Sequence, residues 1–266
     1  MAGHSKWANI KHRKARQDAS RAKVWTKVIR EITVAAKGGP DPEDNPRLRL
    51  ALEKANQANM PKDTIKRAIQ KGSGTGETGA LEEIVFEGYG PGGVAILVET
   101  MTDNRNRTVS DVRHAFSKFG GNLGTDGSVA YLFNKLGIIH IPKNISEDDL
   151  MDIALEAGAE DLVDENEYFE VITSHNDLST VNDSLKLKEI EITNAEVTLR
   201  AETLVEIDEE MAEKVLKIME FMDDLDDVQE VHTNAQFPDN FEPGEQFCLL
   251  IQEQKEQISR ERLETS

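Results

Sequence analysis

Counted in chain order, the strands and helices of this 266-residue chain leave one helix and one strand over, and that remainder constrains the fold more than any single motif. "EIVFEGYGPGGVAILVET" (83–100) reads as two strand-like runs joined by a glycine-rich turn. "RTVSDVRHAFSKFG" (107–120) places Val109, Val112, Phe116 and Phe119 on one helical face, and "SVAYLFNK" (128–135) is a further strand. A second series then begins. "GIIHIP" is a strand, 146–159 a helix capped by Ser146 with Asp149 as its reciprocal partner, and 161–173 a hairpin around Glu165 and Asn166. A helix over 177–186 and a strand over 195–207 complete β-α-β-β-α-β, the split βαβ order of a ferredoxin-like domain. Beyond it lie a helix over 208–225, capped by Asp208, and a strand over 228–235. These supply what the first β-β-α-β lacks, so 135–205 is expected to be inserted in an α+β domain made of 82–134 plus 206–237.

Upstream the periodicity is helical. Residues 1–20 form a basic arm with no apolar stripe to bury. A helix follows over 21–37, with Val24, Trp25, Val28, Ile29, Ile32, Ala35 and Ala36 on one face. Helices over 46–58 (Leu48, Ala51, Leu52 and Ala55 inward) and 61–71 (Ile65, Ala68 and Ile69 inward) complete a helical domain, 21–71, with Pro61 in a first turn where its missing N–H costs nothing. A Gly-rich linker spans 72–81. The tail, 238–266, reads either as a short docking helix carrying Phe247, Leu250, Ile251 and Ile258 or as an unpacked terminus. The fold class is α+β: a helical bundle with a basic arm, then two α+β (ferredoxin-like) domains, one inserted in the other.

Charge divides along the same line. The chain has 31 Lys and Arg against 50 Asp and Glu, a net of −19. Residues 1–71 hold 17 basic and 7 acidic side chains, a net of +10, leaving 14 and 43, a net of −29, for the remainder. A polyanion would be repelled by the acidic part, so a nucleic-acid contact has to be made end-on by the first segment. The candidate contacts are Lys6, Lys11, His12, Arg13, Lys14 and Arg16 in the arm and Arg21, Lys23, Lys27, Arg30 and Lys37 on the first helix. Of these, Lys23, Lys27, Arg30 and Lys37 fall within about 80° opposite its apolar face. The bland reading is a solvated helical bundle that carries these cations by chance. Trp7 either stacks on an exposed base or pins the arm to the bundle. Arg105 and Arg107, placed just before a helix N-terminus, suit a phosphate or RNA backbone, or else pair with neighbouring acids.

Other chemistries find little support. No apolar run approaches the ~20 residues of a membrane span, and no secretory h-region follows the basic start. The arm has too few large apolar residues for a mitochondrial presequence, so the expected compartment is the cytoplasm. The single cysteine, Cys248, allows no disulfide framework and no cysteine-rich metal site. "GTGETG" (74–79) and "GYGPGG" (88–93) match G-x-G-x-x-G, but neither sits between a strand and a helix, so no nucleotide cofactor is implied. No two histidines are spaced i, i+4 as in a zinc helix, and no G-x-S-x-G nucleophile elbow occurs. "DEE" (208–210) and "MDDLDD" (222–227) read as solvated helix ends, without the ligand order of an EF-hand. No cofactor, no metal and no catalytic residue are expected. No membrane partner is expected either; the sequence sets no oligomeric state, and a monomer is compatible with it.

Five collinear blocks, "MAGHSKWANIKHRK", "NMPKDTIKRAI", "EGYGPGG", "TDNRNRT" and "MDDLDDVQEV", make the chain closely resemble the YebC/PmpR family from Met1 to about Phe237. The resemblance begins at the first residue, which argues against a cleaved targeting peptide. It implies a helical N-terminal domain followed by two α+β domains. It also implies a cytoplasmic, DNA-binding transcriptional regulator or, as in other members, a ribosome-associated factor that helps synthesis through stretches such as consecutive prolines. Mitochondrial relatives are translational activators for a cytochrome oxidase subunit. Three readings stay open: a DNA-binding regulator, an RNA- or rRNA-binding translation factor, and a phosphodiesterase that would depend on Asp226 and Asp227.

Overall fold

Asn45 sets how the first two helices meet. Helix α1 (Arg21–Ala35) tightens into a 3-10 turn over Ala36–Gly38, and α2 (Pro46–Gln57) opens with proline at its first position. The Asn45 side-chain oxygen accepts the Leu48 N–H at 3.0 Å, and its amide donates to the carbonyls of Ala35 (2.7 Å) and Gly39 (2.9 Å). One residue thus satisfies orphan groups at the end of one helix and the start of the next. Helix α3 (Lys62–Gly72) starts directly after Pro61. Ile32, Leu48, Ala51 and Ala55 form the fully buried centre of the bundle. Trp25 packs against it and donates its indole N–H to the Ala58 carbonyl at 3.0 Å. Val24, expected inward, is 36% exposed: it stands at the rim of a stripe narrower than the sequence pattern suggested. Where α3 crosses α1 the backbones nearly touch, and a Cβ on Gly72 would stand 2.1 Å from the Thr33 carbonyl oxygen.

The computed structural model describes residues 21–74, 81–165, 167–238 and 241. The arm, with Lys6, Trp7, Lys11, His12, Arg13, Lys14 and Arg16, lies outside the described residues, as do the Arg21 side chain and most of the linker and tail.

Strands β1 (Glu82–Tyr89) and β2 (Ala95–Thr102) form a hairpin through Gly90–Gly93, followed by α4 (Arg105–Lys118) and the two-residue β3 (Asn122–Leu123). Gly88 is required by space, because a Cβ there would meet the Asn122 carbonyl oxygen at 2.5 Å and the Phe116 ring at 2.6 Å. Much later in the chain, α7 (Glu209–Asp223) leads into β9 (Val228–Thr233), which pairs with β2. The all-antiparallel sheet β3-β1-β2-β9 buries one face under α4 and α7 around Phe116, Val98, Leu216 and Met219.

Between these halves run β4 (Phe133–Pro142), α5 (Glu147–Glu156), β5 (Asp161–Asp164), β6 (Tyr168–Ser174), α6 (Leu178–Leu187) and β7 (Asn194–Ala201). Their antiparallel sheet has the order β5-β6-β4-β7, that of a ferredoxin-like unit, and its Ile139, Ile141 and Val171 share a core with Leu150 and Leu185 of the two helices. Across β4 and β6, His140 Nε2 lies 3.3 Å from buried Glu170, which also accepts from Arg200 at 2.8 Å. Short parallel strands β8 (Val205–Glu206) and β10 (Ala235–Gln236) complete the described elements.

The strand expected at 128–135 does not form as such. Residues 130–132 make a 3-10 turn, and β4 runs unbroken from Phe133 through the 134/135 position to Pro142. The cause is Glu87. Its buried carboxylate accepts the N–H groups of Gly127, Val129 and Ala130 at 2.6–2.7 Å, taking the donors a ladder would need. Burial pushes this carboxyl up, and the three backbone donors outweigh it, leaving it below the ordinary glutamate range. The two sheets meet around Ala95, Leu97, Val129, Phe133 and Ala201. The helical bundle sits on both: Val34 packs with Leu81 and Met101, and Leu50 against the second sheet's core.

Candidate nucleic-acid interface

The first helix carries its cations where the sequence puts them, on one stripe, but that stripe faces the protein. Lys23 donates to Asp224, Lys27 to Asp223 at 2.9 Å and to the Gln229 carbonyl at 3.3 Å, and Lys37 to the Leu81 carbonyl. Arg30 donates to the carbonyls of Met101 (2.8 Å) and Asp226 (2.6 Å) and to the Asp227 carboxylate at 2.6 Å. The acidic end of α7 is therefore the counter-surface of α1, not a solvated run. Lys23, Lys27 and Arg30 retain 17–28% exposure, so their pairs are partly desolvated, while Lys37 is exposed. Burial lowers the Lys23 ammonium below the usual lysine range despite Asp224 beside it.

Asp227 is the centre of this joint. Besides Arg30 it accepts from Arg107 Nε and Nη2 at 2.8–3.1 Å, from Thr108 Oγ1 at 2.8 Å and from Thr102 Oγ1 at 3.2 Å. Its own carbonyl takes the Met101 N–H at 2.9 Å. Burial pushes the carboxyl up, but Arg107, Thr108 and Arg30 together hold it below the usual aspartate range. A polar cleft of about 280 Å³ opens beside it, lined by Arg30, Asp103, Arg107, Asp111, Asp226 and Asp227. A carboxylate so fully occupied is built to hold two guanidinium groups, and among the described residues no group of three or more His, Cys, Asp or Glu is arranged to hold a metal.

Arg105 and Arg107 lie inside α4, not before it, because Asn104 is the cap and accepts the Arg107 N–H at 3.1 Å. They then part company. Arg107 folds back onto Asp227 and onto Asp103 (2.9 Å), while Arg105 is exposed.

A second cationic face went unread in the sequence. Helix α3 exposes Lys62, Lys66, Arg67 and Lys71, which at 100° per residue cover about 180° of its circumference opposite the buried Ala68. Asp63 is the one carboxylate on this helix, and Arg67 Nε reaches only its backbone carbonyl, at 3.3 Å. The cations of α2 are matched elsewhere: Arg47 by Glu83, Lys54 by Glu31 at 3.0 Å, and Arg49 by Asp183 at 3.9 Å. Several of the α3 cations stand in unfavourable local positions. Lys62 and Lys66, and Arg67 and Lys71, are like-charged i, i+4 pairs, each costing about 0.2–0.5 kcal/mol. Lys62 also sits in the first turn, where the helix dipole favours acids.

Residues 5–75 match the TACO1/YebC protein N-terminal domain, and residues 81–235 match the TACO1/YebC second and third domain. The chain belongs to the TACO1/YebC family. It is 58% identical over 240 residues to a "Probable transcriptional regulatory protein" of Hahella chejuensis, covering 90% of this chain and 97% of that one. It is 58% identical over 241 residues to a protein of the same name from Pseudomonas putida, covering 90% and 97%. Among solved structures, a conserved hypothetical protein from Aquifex aeolicus is 48% identical, with a TM-score of 0.78 over 84% of this chain and 93% of that one. In family terms, the joint around Asp227 ties the YebC N-terminal domain to the second and third, and the α3 face belongs to the N-terminal domain alone. No helix among the described residues is long and apolar enough to cross a membrane.

Proposed function

We propose that this YebC-family chain is a non-catalytic regulator of gene expression that binds nucleic acid end-on through its N-terminal segment, with DNA as the ligand and transcription as the process. The observation that carries the reading is the charge partition: +10 in residues 1–71 against −29 in the remainder. An acidic body with one cationic end presents that end to a polyanion and keeps the remainder at a distance. The shared name of the relatives supports transcription as the process.

The same acidic body favours a second reading. A long duplex would repel it along its length, whereas a crevice in ribosomal RNA admits the cationic end alone. Sedimentation of a cell lysate at low and high salt, with DNase or RNase treatment, separates the two. Promoter-selective binding with the chain at the top of the gradient supports the DNA regulator. Salt-sensitive, DNase-resistant migration with ribosomes would replace it with a translation factor. If the chain neither migrates nor binds any nucleic acid, both readings fall.

A further inference from the structure

The geometry points to the outer face of α3, Lys62, Lys66, Arg67 and Lys71, as a surface that grips the phosphate backbone of a nucleic acid, while the α1 stripe serves as an internal joint. This rests on the nucleic-acid reading and names the described residues that carry it. Three observations converge on it. Lys23, Lys27 and Arg30 on α1 and Arg47, Arg49 and Lys54 on α2 each meet a carboxylate of this protein, whereas among the described residues none of the four on α3 does, Arg67 reaching only the Asp63 backbone carbonyl. The four form two like-charged i, i+4 pairs against a single carboxylate, Asp63, so an external anion relieves repulsion that the helix itself only partly offsets. The face also has the wrong composition for a lipid surface. The apolar side of α3, with Ile65, Ala68 and Ile69, is packed into the bundle, and only polar and charged side chains remain outside.

From Lys62 to Lys71 the helix rises about 14 Å, roughly four base-pair steps of a duplex strand at about 3.4 Å each. Lysine and arginine at that spacing neutralise successive phosphates and carry no sequence information of their own. The α3 face therefore supplies affinity and salt dependence, and selectivity has to come from other parts of the chain.

The test uses the full chain and a quadruple variant, Lys62→Gln, Lys66→Gln, Arg67→Gln and Lys71→Gln, titrated by fluorescence anisotropy. The probes are a 20-base-pair duplex DNA, a single-stranded RNA of the same length, and vesicles containing phosphatidylserine, over a series of salt concentrations. If all four side chains neutralise phosphates, the slope of log affinity against log salt on duplex becomes shallower by about 3.6 in the variant. A Lys23→Gln/Lys27→Gln chain should keep the wild-type slope, and a variant with Lys62, Lys66 and Lys71 changed to Arg should bind as wild type does. Wild-type binding with an unchanged slope in the quadruple variant overturns the α3 assignment and leaves the proposed function standing. Binding of the wild type to vesicles but to neither nucleic acid overturns both.

Discussion

Helices α1 and α3 belong to one small bundle and carry cations at similar spacing, yet one face is internal and the other external. Lys23, Lys27 and Arg30 meet Asp224, Asp223 and Asp227, whereas Lys62, Lys66, Arg67 and Lys71 point into solvent. Charge periodicity on a helix establishes that a face is wet or paired. Which of the two it is depends on what the chain folds against it, and here the partner of Lys23 is 201 residues away in sequence.

The largest effect is expected where the comparison is sharpest, at Asp227. Changing it to Ala leaves the partly desolvated Arg30 without a carboxylate and Arg107 with Asp103 alone, a loss towards the lower end of the about 3–5 kcal/mol of a broken buried pair. Exposed Asp226, which contributes to the joint through its carbonyl, should tolerate Ala within about 0.5 kcal/mol. Urea unfolding of the two variants decides this. Equal, small losses would mean that the joint is not what holds the bundle to the sheets. The same site sets an acid limb. A carboxyl held below its unfolded value of about 3.9 contributes stability that is complete above that pH and is lost as pH falls through the lower, folded pKa. Glu170, which burial pushes up and His140 and Arg200 bring down past the ordinary range, adds to the same window. Asp227→Asn should therefore flatten the stability profile below about pH 4 without abolishing its slope. A profile identical to wild type would show that this carboxyl does not titrate on unfolding.

The crossing of the two helices gives the next largest effect. Gly72→Ala improves intrinsic helix propensity by about 1 kcal/mol, but the added carbon would lie 2.1 Å from the Thr33 carbonyl oxygen and 2.8 Å from Ala36 Cβ. Backbone cannot yield as a flexible side chain can, so the clash should prevail, with a net loss of about 1–3 kcal/mol. A neutral or stabilising result in thermal unfolding would mean that α3 is not clamped to α1.

The fold and the site differ in how far they could be read from the residues. Element types were legible because periodicity is a local signal: Ile139 and Ile141 alternate along a strand, and Leu178, Val181 and Leu185 repeat along a helix. Residues 128–132 were misread because Glu87, some 40 positions earlier, takes their N–H groups, and no window over the segment contains that carboxylate. The α1 stripe was legible as cationic, but its partner was not, for the same reason of distance. The α3 face was the opposite case. Its four cations and its inward Ile65, Ala68 and Ile69 are all present in "KDTIKRAIQKG", and a helical wheel drawn for charge as well as for apolar residues would have displayed it.

Smaller effects refine the contrast between the two faces. Lys23→Gln with Lys27→Gln removes two partly exposed pairs, worth about 0.2–1 kcal/mol each, so the variant should lose about 1 kcal/mol, and less at high salt.

The smallest effect on stability is expected from the α3 quadruple variant, and its near absence is informative. Neutralising Lys62 removes a cation from the helix N-terminus, and the four changes abolish two repulsive i, i+4 pairs, each worth about 0.2–0.5 kcal/mol. Against this, Lys71 in the last turn loses a favourable dipole interaction of about 0.3–1 kcal/mol. The terms nearly cancel, so stability should stay within about 0.5 kcal/mol of wild type. Added salt should act in opposite senses on the two faces, screening repulsion on α3 while weakening the pairs beneath α1. The wild-type chain should therefore lose more stability between low and moderate salt than the Lys23/Lys27 variant does. If neutralising α3 costs as much as breaking the α1 pairs, its cations are structural after all, and the distinction between an inner and an outer face disappears.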